Sequence, residues 1–222
     1  MPLTGSIALP AAVRACLFDL DRVITDAATV HGAAWKQTFD AFLAERSHRG
    51  GEDREFSPDD PPEAPTIHGI ANRKNVLLLH MIETDGVHVF DGSVRFIRLT
   101  RSLGMQTAVV SSSANTVEVL RAAGIADLFD TRVDGVVAAE RHLAGKPAPD
   151  TFLAAAEALS VPASGCSVFE DALAGVAAGR AGRFAYVVGV DRAGQADKMC
   201  EAGAVVIVDD LADLILADRS DT

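Results

Sequence analysis

The chain has 222 residues, 49% of them hydrophobic, which is enough for one sizeable α/β core with room for a small second domain. A formal net charge of -11 with no Lys/Arg cluster to offset it argues against a nucleic-acid partner, and no apolar run approaches membrane-spanning length. The N-terminus lacks the basic start and apolar core of a signal peptide, and three scattered cysteines, Cys16, Cys166 and Cys200, suit neither a disulfide framework nor a zinc site, so the expectation is a cytoplasmic protein with buried, reduced thiols.

Val13 and the run Ala15 to Phe18 suit a strand buried on both faces, and that strand stops abruptly at two carboxylates, Asp19 and Asp21. In an open α/β sheet the carboxyl ends of the strands form the ligand crevice, so both acids are expected at the mouth of a site. A spacing of two points them to the same side, where their charges repel unless a cation lies between or beside them. Oxygen ligands of this kind suit Mg²⁺, which keeps several waters and binds a substrate phosphate; the alternative at this point is a turn-capping Asp19 and a solvated Asp21.

After Asp26 the spacing of Trp35, Phe39, Phe42 and Leu43 predicts an amphipathic helix from about Ala28 to Arg46, with His31 one turn before Trp35. The Pro-rich, charged stretch Ser47 to Pro65 reads as a mobile connection. A second helix is expected over Asn72 to Glu83, with Leu77, Leu78, Met81 and Ile82 as its apolar face. Arg73 and Lys74 at its start would oppose the helix dipole and so invite a role other than helix stability.

From about Val94 short apolar strands alternate with helices, the pattern of parallel βαβ units. Met105 to Val110 predicts a strand ending in Ser111, Ser112 and Ser113 before a helix that Gly124 would cap, and hydroxyls with free amides at such a junction make an anion site. Thr131 to Val137 predicts another strand. The loop Gly145-Lys146-Pro147-Ala148-Pro149-Asp150 follows, where two prolines stiffen the backbone around a lysine able to neutralise a phosphoryl group. Cys166, Val168 and Phe169 form a strand that also ends in acids, Glu170 and Asp171; the Ala/Gly-rich segment after it permits close helix-to-sheet packing but is no dinucleotide fingerprint. Strands at Phe184 to Val188 and Val205 to Val208 and a helix through Leu211, Leu214 and Ile215 complete the expected sheet.

In order, Asp19/Asp21, Ser111, Lys146 and Glu170/Asp171, each at a strand end, resemble the four-motif pattern of the haloacid dehalogenase superfamily over nearly the whole chain. The chain looks most like that superfamily's β-phosphoglucomutase-like group through His31 with Trp35, Asn72-Arg73-Lys74-Asn75 and the Gly-Lys-Pro-Ala-Pro-Asp run. The resemblance implies an α/β fold, a Rossmann-like parallel sheet core formed by residues 1–26 and 90–222, with a small, shortened helical cap over 27–89. Asp19 would be the nucleophile that becomes an aspartyl phosphate and Asp21 the general acid and base. Ser111 and Lys146 would bind the transferring phosphoryl oxygens, with Asn115 assisting Ser111, and Asp19, Asp21, Glu170 and Asp171 would hold Mg²⁺. His31, Trp35, Lys74, Ser112 and Asn115 would bind substrate, Lys74 meeting a sugar or second phosphate. Dehalogenases and phosphonate-cleaving relatives do not keep an acid two residues after the nucleophile, so Asp21 favours phosphate-ester chemistry.

Two departures from the family pattern bear on activity. Relatives usually have Asp-x-Asp-Gly, whereas Arg22 follows Asp21 here; a guanidinium there would repel a metal or attract a phosphate according to its direction, and losing Gly strains the turn if the position needs positive φ. The Gly-x-x-Arg substrate loop of mutase relatives has no counterpart in the acidic Glu52 to Pro65. The resulting expectation is Mg²⁺-dependent phosphoryl transfer on a small phosphorylated sugar by a monomer or weak homo-oligomer. The alternatives are a sugar-phosphate phosphatase and a catalytically impaired phosphosugar-binding protein. A signalling receiver domain also joins early acids, a hydroxyl and a lysine around Mg²⁺, but it needs a shorter chain and an acid on a middle strand, and the strand before Ser111 has none.

Overall fold

The computed structural model describes residues 5–46, 61–64 and 66–216, so most of the segment expected to be a mobile connection lies outside the described residues. The chain divides into two compact units, Met1–Asp26 with His88–Thr222, and Ala27–Val87.

The first unit is built on a six-stranded, wholly parallel sheet, and its strands and helices alternate along the chain. After a two-residue strand β1 (Ser6–Ile7) come β2 (Ala15–Phe18), and then, beyond the second unit's α1 (Ala27–Arg46) and α2 (Ile67–Asp85), α3 (Asp91–Ser102), β3 (Gln106–Val110), α4 (Thr116–Ala122), β4 (Thr131–Val133) and α5 (Gly135–Glu140). The remainder is α6 (Asp150–Ala158), β5 (Cys166–Glu170), α7 (Leu173–Ala181), β6 (Tyr186–Val190), α8 (Ala196–Ala202), β7 (Val206–Val208) and β8 (Ile215–Leu216). The strand order β4-β3-β2-β5-β6-β7 reverses direction between β2 and its neighbours, the topological switch point at which open α/β sheets bind ligands.

Strands buried on both faces need apolar residues at every position, and β2 with residues Cys166–Phe169 of β5 supply them almost without interruption. Ala15, Leu17, Cys166 and Val168 face a cluster containing Phe152, Ala155 and Val176, from α6 and α7. On the other face Phe18 stacks on Phe169 at 4.6 Å between ring centroids, with Phe96 of α3 edge-on to both. Gly179 lets α7 approach the sheet closely, since a Cβ there would meet Val187 at 3.0 Å. This two-sided core holds the strand ends, and the acids on them, in place.

Several elements differ from expectation for identifiable reasons. The strand from Thr131 stops at Val133 because the Asp134 carboxylate accepts the Val137 N–H and caps α5. Leu211–Leu214 forms only a 3₁₀ turn, after which β8 pairs antiparallel with β1. Cys16 and Cys166 are buried as expected, whereas Cys200 lies exposed on α8.

In the second unit α1 and α2 pack on each other. Thr66 accepts the Gly69 N–H at 3.0 Å and starts α2 well before Asn72. Arg73 and Lys74 therefore stand about two turns inside the helix, where the dipole argument does not reach them. Among the described side chains of α1 the buried ones are Ala27, Ala34 and Thr38, while Trp35, Phe39 and Leu43 are exposed. Small residues bring the helices together, and Trp35 instead stacks on Phe39 at 5.1 Å.

Candidate active site

Parallel register sets the site. Phe18 of β2 pairs with Phe169 of β5 and with Val109 of β3, so Asp19 leaves the sheet beside Glu170 on one side and the Val110–Ser111 step on the other. The Asp19 N–H still donates to the Phe169 carbonyl at 2.9 Å, which extends the ladder to the first acid.

Lys146 joins these strand ends. Its Nζ donates to Asp19, ion-pairs with Glu170 Oε1 at 2.5 Å and lies 3.5 Å from the Val110 carbonyl oxygen, with the Phe152 ring 5.0 Å away. Burial alone would favour a neutral lysine, but Asp19 and Glu170 outweigh it and raise the Lys146 pKa, so the ammonium is permanent. The Asp19 carboxylate also receives the backbone N–H groups of Leu20 and Asp21; burial nevertheless outweighs Lys146 and raises its pKa.

Glu170 is held on both oxygens. Oε2 accepts the Ala172 N–H at 2.9 Å, and the carboxylate lies so close to the start of α7 that a Cβ on Gly175 would sit 1.8 Å from Oε1. Burial and the neighbouring Asp19, opposed by Lys146, push its pKa up to about 8. Asp171 is raised to about 6 by burial and Asp19 against the pull of Arg22, and its carbonyl accepts from Gln195 Nε2 at 3.0 Å. One oxygen from each of Asp19, Glu170 and Asp171 falls within 4.8 Å of the others. An all-oxygen, carboxylate-rich set fits a hard divalent cation such as Mg²⁺ and does not suit a thiophilic metal.

Asp21 is half-buried just beyond, and its Oδ1 is buried with no hydrogen-bond partner among the described residues. Burial and the charges of Asp19 and Asp171 raise its pKa to about 7, which suits a group that both gives and takes a proton near neutrality. Arg22 follows with a φ of 63°, its N–H on the Thr25 carbonyl at 2.6 Å and its own carbonyl accepting from Arg192 Nε at 3.3 Å. Its Nε stands 3.9 Å from Asp171 Oδ2, which settles the direction of that cation.

Ser111 is buried at the end of β3; its N–H extends the ladder to the Val133 carbonyl and its Oγ accepts the Ser113 N–H at 3.1 Å. Ser112 is exposed, and Asn115 sits half-buried at the start of α4, with its N–H on Ser113 Oγ at 3.1 Å. Gly135 supports this loop, since a Cβ there would lie 2.7 Å from the Ser112 carbonyl oxygen.

The structure thus brings Asp19, Lys146, Glu170 and Asp171 into one cluster with Asp21 and Arg22 at its edge, and Ser111 on the adjoining strand end. Within the second unit it joins the other three expected residues: Lys74 Nζ is 2.9 Å from His31 Nδ1 and 5.5 Å from the centre of the Trp35 ring. Burial and the Lys74 charge lower the His31 pKa, so the imidazole is neutral; with Nδ1 accepting from the ammonium, its proton is on Nε2. Sequence reasoning missed Gly175 beside Glu170, Gln195 on the Asp171 carbonyl and Arg192 on the Arg22 carbonyl, contacts that exist only once the chain is folded.

The family model of the haloacid dehalogenase-like hydrolases matches residues 13–183. The chain is 48% identical to a β-phosphoglucomutase of Mycobacterium bovis over 246 aligned positions, covering 94% of each chain, and 33% identical to the β-phosphoglucomutase of Bacillus subtilis, covering 92% of each. Among solved structures, the β-phosphoglucomutase of Clostridium difficile matches with a TM-score of 0.70 and 26% identity over 91% of this chain and 93% of that one. The phosphate complex of CbbY from Rhodobacter sphaeroides shares the fold, with a TM-score of 0.70 at 21% identity over 91% and 96%.

Proposed function

We propose, given that the chain belongs to the haloacid dehalogenase-like hydrolases and to their β-phosphoglucomutase-like group, that it converts β-glucose 1-phosphate to glucose 6-phosphate through an aspartyl phosphate on Asp19. The observation that carries this reading is the division of labour between two acids on one strand end: Asp19 paired with Lys146 and fixed, Asp21 with its Oδ1 buried and unpartnered among the described residues and its pKa raised to about 7.

Asp19 attacks phosphorus, and the bond to the departing sugar oxygen breaks. Asp21 gives that oxygen a proton, then takes one from the hydroxyl that later attacks the aspartyl phosphate. Lys146 and Ser111 bind the phosphoryl oxygens as charge redistributes, positioned by the sheet rather than by the substrate. Asp19, Glu170 and Asp171, with the Asp21 carbonyl, would hold Mg²⁺, which when bound neutralises phosphoryl charge and allows the carboxylate to approach. Ser112 and Asn115 belong to the same phosphate-binding loop. In the helical unit, which we read as the cap, His31, Trp35 and Lys74 combine an N–H donor, a ring face and a cation, the groups suited to a sugar and a second phosphate.

A specific observation favours a second reading, plain hydrolysis. The alignment with the Mycobacterium bovis enzyme runs over 246 positions, more than the 222 residues of this chain, so that relative carries segments this chain lacks. If they belong to the cap, the grip on a distal phosphate is reduced, and water needs no such grip.

Phosphorus NMR of the protein with β-glucose 1-phosphate, Mg²⁺ and a trace of glucose bisphosphate tests the proposal, with Asp19→Asn as control. A growing glucose 6-phosphate signal supports the mutase, and inorganic phosphate alone replaces it with the phosphatase. Turnover that survives in Asp19→Asn would overturn the nucleophile assignment, and absence of both products would remove this substrate.

A further inference from the structure

We propose that Arg22 is a built-in competitor for the cation site, holding Asp171 by an exchangeable ion pair so that divalent cations bind more weakly than the three carboxylates alone would allow. The inference rests on the reading of Asp19, Glu170 and Asp171 as that site.

Arg22 occupies a position that disfavours it. Its φ of 63° lies in the left-handed region where a Cβ meets the following carbonyl, and a glycine would escape that cost. The turn cannot easily rotate away, because Thr25 and Arg192 hold the Arg22 N–H and carbonyl. Arg192 is itself anchored, to Asp210 at 3.1 Å and over the Phe90 ring at 4.0 Å. The base of the guanidinium is therefore fixed at the end of β2, facing the end of β5.

Asp171 is the ligand with fewest other commitments. Asp19 and Glu170 share Lys146 and accept N–H groups of neighbouring residues, whereas the Asp171 carboxylate accepts its own backbone N–H and pairs with Arg22. At 3.9 Å, with 46% of the Arg22 side chain exposed, the contact is loose enough to be displaced. Two positive groups cannot both stand against one carboxylate without repulsion, so an arriving cation must first push the guanidinium into water. Lys146 and Arg22 both stand against this carboxylate cluster, so a divalent ion meets less negative charge there than the acids alone would offer.

Isothermal titration of MgCl₂ into the EDTA-treated full chain tests this with no substrate present. Arg22→Gly and Arg22→Ala should each bind Mg²⁺ about tenfold more tightly than wild type, as expected for removing one partly screened charge. Arg22→Lys, which keeps the charge, should stay within about twofold. Thermal melts in EDTA separate the backbone contribution, because Arg22→Gly relieves the positive φ and Arg22→Ala does not. Equal affinities across the series, weaker binding in the variants, or tightening in Arg22→Gly alone would overturn the inference. Failure of every form to bind Mg²⁺ would overturn the cation-site reading itself and the inference with it.

Discussion

Asp19 and Glu170 hold equivalent places on adjacent parallel strands, each the residue after a phenylalanine of the stacked Phe18–Phe169 pair, and the ammonium of Lys146 lies against both. Two carboxylates so close cannot both ionise without a compensating cation. Lys146→Met should therefore destabilise the metal-free protein by about 3 kcal/mol, as when one partner of a buried ion pair is removed. It should also slow turnover by at least about a hundredfold through loss of positioned charge at the phosphoryl oxygens. Urea unfolding in EDTA and steady-state kinetics check the two effects separately; a variant as stable as wild type would show that the pair contributes nothing net.

Metal-free stability should fall as pH rises, the opposite of a protein dominated by surface ion pairs. Folded Asp171, Asp21 and Glu170 titrate near about 6, about 7 and about 8, and Asp19 is raised as well, while in the unfolded chain such groups titrate near about 4. Between those limits the native state holds more protons than the unfolded state, so the slope of stability against pH is negative. This contribution is complete below about pH 4 and is lost by about pH 8. Chemical unfolding in EDTA between pH 5 and pH 8.5 should show the decline, and saturating Mg²⁺ should flatten it. A rise in stability across that window would contradict the burial of these acids.

Asp21→Asn separates proton transfer from phosphoryl capture. With an alkyl phosphate the variant should lose about 10² to 10⁴ in kcat, the usual worth of a positioned acid and base. Formation of the phospho-enzyme from p-nitrophenyl phosphate, whose leaving group departs without a proton, should fall far less. Rapid-quench measurement of the first turnover with both substrates distinguishes the cases. An equal loss with both would mean that Asp21 acts by placing Asp19 and not by moving a proton.

The architecture and most of the site were readable because each rests on a local signal. Apolar runs broken by acids mark the ends of β2 and β5, and the triple serine and the proline-flanked lysine mark two neighbouring loops. What stayed hidden depends on packing. On α1 the large aromatics read as the buried face, but Ala34 and Thr38 take that place, because close helix approach selects small residues over large ones. Composition places the start of α2 five residues late, because a threonine cap outweighs the composition after it. Periodicity cannot report the Arg22–Asp171 contact, which joins two strand ends 149 positions apart in sequence.

Gly175 aims the Glu170 carboxylate, although no motif distinguishes it from the other small residues of α7. Glu170 turns its carboxylate onto the first turn of that helix, where Oε2 takes the Ala172 N–H and Oε1 occupies the space beside the Gly175 Cα. Gly175→Ala would put a methyl group 1.8 Å from Oε1, so either the carboxylate or the helix must move. The surroundings favour moving the carboxylate, because α7 is locked against β5 and β6 through Gly179 and Val176. Displaced, Glu170 loses both its backbone donor and its contact with Lys146 while still buried. The expected result is a loss of about 1 to 3 kcal/mol in stability, typical of overpacking, together with Mg²⁺ affinity weakened by at least about tenfold. Glu170→Gln leaves Gly175 untouched and should share the loss of Mg²⁺ affinity while keeping wild-type packing. If Gly175→Ala binds Mg²⁺ normally, the carboxylate has found its ligand position by another rotamer, and the close approach of α7 is not what aims it.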